Sequence, residues 1–121
     1  LTPAAPLDTV AFKLIDAAEW RLALSEGVYE GSAVDQADGF IHLSTAGQLE
    51  DTARKHYAGR SDLMVLSVDL AALGGAVVWE PSRGGDLFPH IYGPMPTSVV
   101  TKAQVCAVSS DGALILADAA T

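Results

Sequence analysis

No apolar run in this chain is long, and glycine, proline and polar residues interrupt such runs throughout. The fold must therefore be assembled from short strands and helices joined by tight connections. None of the runs approaches the roughly 18 consecutive apolar residues of a membrane-spanning helix. The N-terminus also lacks a basic flank followed by an apolar block, so a soluble, cytoplasmic protein with no membrane partner is expected. A length of 121 residues fits one domain over 1–121, enough to bury a core but too short for a separate cofactor domain.

Periodicity then orders the elements. After a proline-bearing N-terminal arm, 10–15 reads as a strand interrupted only by Lys13. A helix follows, with Asp16 as cap, Glu19 in the capping-box position, a stripe of Ala17, Trp20, Ala23 and Leu24, and Gly27 as its stop. Residues 28–39 are rich in glycine, serine and aspartate and read as an exposed connection. Strand alternation in 40–44 puts Ile41 and Leu43 on one face and His42 and Ser44 on the other. Thr45 and Gln48 form the next capping-box pattern, ahead of a buried stripe of Leu49, Ala53 and Tyr57 and a stop at Gly59. On the solvated face of that helix, Glu50 and Arg54, and Asp51 and Lys55, stand at favourable i to i+4 spacing.

Further strands are expected at 63–68 and 76–80, with one helical turn between them, and a closing hairpin over 99–117 turns at Ser109-Ser110-Asp111-Gly112. This order predicts an α+β domain with a mixed, mostly antiparallel sheet and two main helices. The Gly-Gly pairs at 74–75 and 84–85 lack the spacing of a dinucleotide fingerprint, so a Rossmann site is not expected.

The net charge is −8, from seven Lys and Arg against fifteen Asp and Glu, with no basic cluster beyond Arg54-Lys55. A nucleic-acid partner, which draws on grouped cations, is therefore not expected. Cys106, flanked by Val105 and Ala107, reads as a small buried hydrophobe, and one cysteine can make neither an intramolecular disulfide nor a cysteine-based zinc site. His56, at a helix end, reads as a favourable C-terminal cation.

Residues 79–96 crowd polar side chains onto a backbone stiffened by prolines at 81, 89, 94 and 96, and read as a shaped surface loop. There Glu80, Arg83, His90 and Tyr92 offer a carboxylate, a fixed cation, an imidazole and a phenol. Two unusual histidine segments are most economically read as walls of one cleft, which makes a small-molecule site the leading expectation. A metal at His42, His90 and Glu80 or Asp86 is the weaker reading, because no H-x-x-x-H or H-E-x-x-H spacing occurs. A third reading makes the loop a protein-docking surface anchored by Trp79, Phe88 and Met95.

Glu19-Trp20, Tyr29-Glu-Gly-Ser32, Asp38-Gly-Phe-Ile-His-Leu-Ser-Thr45, Trp79-Glu-Pro-Ser-Arg-Gly-Gly85 and Phe88-Pro-His-Ile-Tyr-Gly-Pro94 resemble the domain-of-unknown-function 952 family. The resemblance spans about 12–104. It implies an ADP-ribosyltransferase-like fold and a nucleotide-like ligand such as NAD or ADP-ribose. NAD would be the substrate of ADP-ribosyl transfer or hydrolysis, with no further cofactor required. In that frame His42, Glu80 and His90 are the catalytic candidates. Ser44, Trp79, Arg83, Tyr92 and Tyr57 are the ligand-binding ones. His42 would hold a ribose hydroxyl, Tyr92 or Tyr57 would pack on nicotinamide, Glu80 would stabilise developing positive charge and Arg83 would meet pyrophosphate. A non-catalytic module binding a small anionic metabolite is the alternative.

Overall fold

The computed structural model describes residues 9–117; the N-terminal arm and the last four residues lie outside them. Strand β1 (Val10–Asp16) leads into helix α1 (Ala17–Glu26), which ends on Gly27 in the left-handed region at φ 79°. A short β2 (Val28–Tyr29), helix α2 (Ala33–Asp38), β3 (Ile41–His42) and helix α3 (Ala46–His56) follow. Then come β4 (Leu63–Asp69), a single turn α4 (Leu70–Leu73), β5 (Val77–Pro81) and β6 (Leu87–Ile91). The chain closes with β7 (Met95–Pro96) and the hairpin of β8 (Val100–Val108) and β9 (Leu114–Leu116).

The α+β class holds, but the strands form three antiparallel sheets instead of one: β1-β4-β8-β9, β3-β6-β5 and the pair β2-β7. In the four-stranded sheet, strands β1 and β4 are buried on both faces. Alternation along β1 sends Ala11 and Ile15 into one core and Leu14 into a second, while β4 sends Leu66 and Val68 to the first and Leu63 and Val65 to the second. Trp20 and Ala23 of α1 complete the first core, together with Ile41, Ile91 and Met95. Ala53 of α3, Cys106 and Val108 complete the second. Burial raises the Cys106 thiol to about 11, in keeping with an inert hydrophobe.

Several local expectations change. Asp16 makes no side-chain cap on α1 and pairs with Arg60 across the domain. Leu24 is exposed, outside the buried stripe of α1. Gln48 does cap α3, accepting from the Thr45 amide at 3.0 Å, but Arg54 pairs with Asp51 instead of Glu50. Lys55 keeps its i to i+4 partner, Asp51, at 3.5 Å.

Residues 28–39 are not a bare connection. Val28 and Tyr29 pair with Pro96 and Met95, and α2 is set by a reciprocal capping box in which Ser32 and Asp35 exchange side-chain and backbone bonds at 2.9 and 3.1 Å. Nor is 79–96 a loop, since most of it is the β5-β6 hairpin. Pro89 sits inside β6 because β3 pairs with β6 only at Ile41↔Ile91 and His42↔His90, so the missing amide falls where that ladder ends. The Pro89 carbonyl still accepts from the Leu43 amide at 3.1 Å.

Candidate functional site

The site begins where two sheets meet and part. Phe12 of β1 and Ser44, two residues beyond β3, exchange backbone hydrogen bonds of 2.7 and 2.8 Å. One step further along, two side chains satisfy the backbone of His42. Its amide donates to Asp35 Oδ1 at 3.1 Å, and its carbonyl accepts from Lys13 Nζ at 3.0 Å. Lys13 and Asp35 thus stand in for the strand partner that β3 lacks there, and a cavity of about 620 Å³ opens between β1, α2, α3 and β3.

Asp35 is the hub. It is 2% exposed, and besides the His42 amide it accepts from the Ser32 amide, from His42 Nδ1 at 2.6 Å and from Lys13 Nζ at 3.1 Å. Burial pushes its carboxyl toward neutrality. The His42 bond, the Lys13 charge and the two amides together overcome that and hold it well below the usual carboxylate range. Lys13, 7% exposed, is lowered by burial, and Asp35 offsets part of the effect. His42 Nε2 lies 2.9 Å from Asp38 Oδ2, so the ring meets a carboxylate at each edge.

Strand register builds the second half. His42 and His90 face each other across β3 and β6, with ring centroids 5.5 Å apart. Glu80 lies diagonally across from His90, and its Oε1 is 2.7 Å from His90 Nδ1. The Tyr92 hydroxyl donates to both Glu80 oxygens, at 2.9 and 3.1 Å. Those bonds from His90 and Tyr92 lower the Glu80 carboxyl and, in turn, raise the Tyr92 phenol. Phe40 stacks on His90 at 4.1 Å and tilts against His42 and Tyr92, bracing the imidazoles from one side.

Of the residues singled out from sequence, His42, Ser44, Tyr57 and His90 line the cavity together. Ser44 is buried with its hydroxyl 2.9 Å from that of Thr52, and the Tyr57 hydroxyl donates to the Leu14 carbonyl at 3.1 Å. His56 lies on the same wall. Glu80 and Tyr92 do not reach the cavity wall; they stand behind His90. Trp79 alternates with Glu80 along β5 and packs against the first core, away from the cavity. The side chain of Arg83 lies outside the described residues. Phe88 and Met95 are buried, so two of the three anchors proposed for protein docking are not on the surface. Among the described residues no group of three or more His, Cys, Asp or Glu is disposed to hold a metal ion.

Sequence reasoning missed Lys13, Asp35 and Asp38. The signal for Asp35 was Ser32-Ala-Val-Asp35, a capping box closed by aspartate in place of the commoner glutamate or glutamine. Lys13 carried a sign too, as a lone cation on the inward face between Ala11 and Ile15.

Comparison with known proteins follows the fold. Residues 14–103 match the family described as protein of unknown function DUF952. The crystal structure of protein CC0527 from Caulobacter crescentus is 44% identical and superposes with a TM-score of 0.83, over 88% of this chain and 93% of that one. Its solution NMR structure superposes with a TM-score of 0.77, over 88% and 91%. No curated protein matches the chain. Among the described residues no helix is long and apolar enough to cross a membrane.

Proposed function

This chain belongs to the DUF952 family, and from that premise we propose that its cavity binds a ribose-bearing nucleotide of the NAD or ADP-ribose class and acts on the ribosyl bond. The observation that carries the reading is the facing pair His42 and His90, both on the cavity and each fixed through Nδ1 by its own carboxylate. Such anchoring sets ring orientation before a ligand arrives, which is what positioned acid–base chemistry requires. A volume of about 620 Å³ falls in the range of small-molecule sites.

The reaction is cleavage at the ribose C1′. The C1′–N bond breaks with its electron pair going to nicotinamide, and the oxygen of water or an acceptor hydroxyl bonds to C1′ and gives its proton to a base. Positive charge grows on the sugar, and the carboxylates that face the cavity, Asp35, Asp38 and Glu19, are placed to favour it. In an ADP-ribosyltransferase-like reading this role moves from Glu80, which stands off the cavity wall, to those three, which line it.

Calorimetry with NAD and ADP-ribose, paired with a nicotinamide-release assay, tests the reading. Binding with turnover that His42→Ala abolishes is expected; no binding of either nucleotide at millimolar concentration refutes it. The pairing of His42 at both edges favours a second reading, a metabolite-binding module, which predicts saturable binding without nicotinamide release.

A further inference from the structure

The two histidines are not equivalent. His42 is held at both edges, by Asp35 at 2.6 Å and Asp38 at 2.9 Å. His90 is held at one. Its Nδ1 is turned to Glu80, and among the described residues its Nε2 has no hydrogen-bond partner, although the residue is only 4% exposed. A buried polar atom without a partner is rare and asks for a reason. His90 lines the cavity while Glu80, bonded to its Nδ1, does not, which leaves Nε2 as the ring nitrogen available to a cavity ligand.

We propose that His90 Nε2 is the proton-accepting atom of this cavity and takes a ligand hydroxyl or a water, with Glu80 and Tyr92 as its positioning residues and His42 as a wall held at both edges. A carboxylate only accepts, so in the neutral ring Glu80 keeps the proton on Nδ1 and leaves a lone pair on Nε2. That lone pair matches an O–H and repels an unprotonated anionic oxygen. The ligand group at this end of the cavity is therefore a hydroxyl, such as a ribose carries or a water supplies. When a water or acceptor hydroxyl held at Nε2 attacks the ribose C1′, the C1′–N bond breaks with its electron pair going to nicotinamide, the attacking oxygen's proton passes to Nε2, and the imidazolium so formed stays paired with Glu80.

Assigning this role within a reaction rests on the nucleotide reading above, yet the atom itself can be read in the ligand-free protein. Long-range nitrogen–proton NMR of the imidazoles distinguishes a protonated from a bare ring nitrogen. Expected in the neutral His90 ring are Nδ1–H and a bare Nε2. Glu80→Gln should abolish the single His90 tautomer, because an amide can donate as well as accept, while Tyr92→Phe should keep it. D-Ribose at millimolar concentration should move the His90 Nε2 resonance, and inorganic pyrophosphate should not. A neutral His90 protonated at Nε2, or a spectrum that D-ribose leaves unmoved, overturns the proposal. Failure of NAD to bind overturns the nucleotide reading alone, because none of these spectra depends on it.

Discussion

Replacing Asp35 by asparagine asks how much of the fold rests on the group that holds the cavity open. The carboxylate is 2% exposed and faces only donors: the Ser32 amide, the His42 amide and Nδ1, and the Lys13 ammonium, itself 7% exposed. Asparagine keeps the shape but turns an NH₂ toward one set of those donors, and it leaves the Lys13 charge buried without a counterion. Breaking a buried pair in this way costs about 3–5 kcal/mol. That is a large part of the roughly 5–15 kcal/mol by which small domains are stable. With a urea slope near about 1.5 kcal/mol/M, the unfolding midpoint should fall by about 2–3 M. Adding Lys13→Met removes the stranded ammonium, so the double variant should recover at least about 1 kcal/mol relative to Asp35→Asn.

The pH dependence has a definite sign. The Asp35 carboxyl lies below its ordinary value of 3.8 in the folded state, so its contribution is complete above 3.8 and is lost as pH falls through the folded value beneath it. The gap between wild type and Asp35→Asn should narrow as urea titrations are taken below pH 3.8. A midpoint shift worth less than about 1 kcal/mol at pH 7, or a gap that widens in acid, would refute the assignment of Asp35 as the hub.

Gly31→Ala should be costly and should disturb the same hub, since a Cβ there would lie 2.8 Å from Asp35 Cβ at a φ of 104°; Gly93→Ala, also at positive φ but in open space, serves as the control for backbone strain alone, and urea unfolding compares them. Cys106 should resist a thiol reagent at pH 8 in the native protein and react promptly once unfolded, because burial raises its thiol to about 11; fast labelling without unfolding would contradict its place in the second core.

Where one face of an element decided its structure, the sequence was readable. Alternation in 40–44 placed Ile41 and Leu43 inward and His42 and Ser44 toward the cavity, and the Ser-Ser-Asp-Gly turn located the β8–β9 hairpin. The two-faced burial of β1 was not readable, because alternation cannot show that a second core lies behind a strand. Helix α2 was hidden by length and composition: six residues rich in aspartate carry the same chemistry as a turn, and only the Ser32–Asp35 reciprocity separates the two. Residues 79–96 were misread because their prolines were weighed ahead of their alternation. Trp79 and Glu80, adjacent in β5, fall on opposite faces, one in the core and the other behind His90. Glu80 meets His90 across the β5–β6 hairpin, whereas bringing His42 to His90 takes a register between strands distant in sequence, which no local pattern encodes.

The substitution of Lys13 and Asp35 for a neighbouring strand has a mechanical consequence. A strand edge is a row of amides locked in step, so moving one rung means moving them all. Beside His42 the rungs are an ammonium and a carboxylate paired with each other, so the Lys13 ammonium can leave the His42 carbonyl without unzipping a sheet. The cavity is thus bounded by a stitched seam at Phe12 and Ser44 and by the Lys13–Asp35 pair beyond it. A ligand that offered its own donor to the His42 carbonyl could exchange for Lys13 there while both sheets stayed intact.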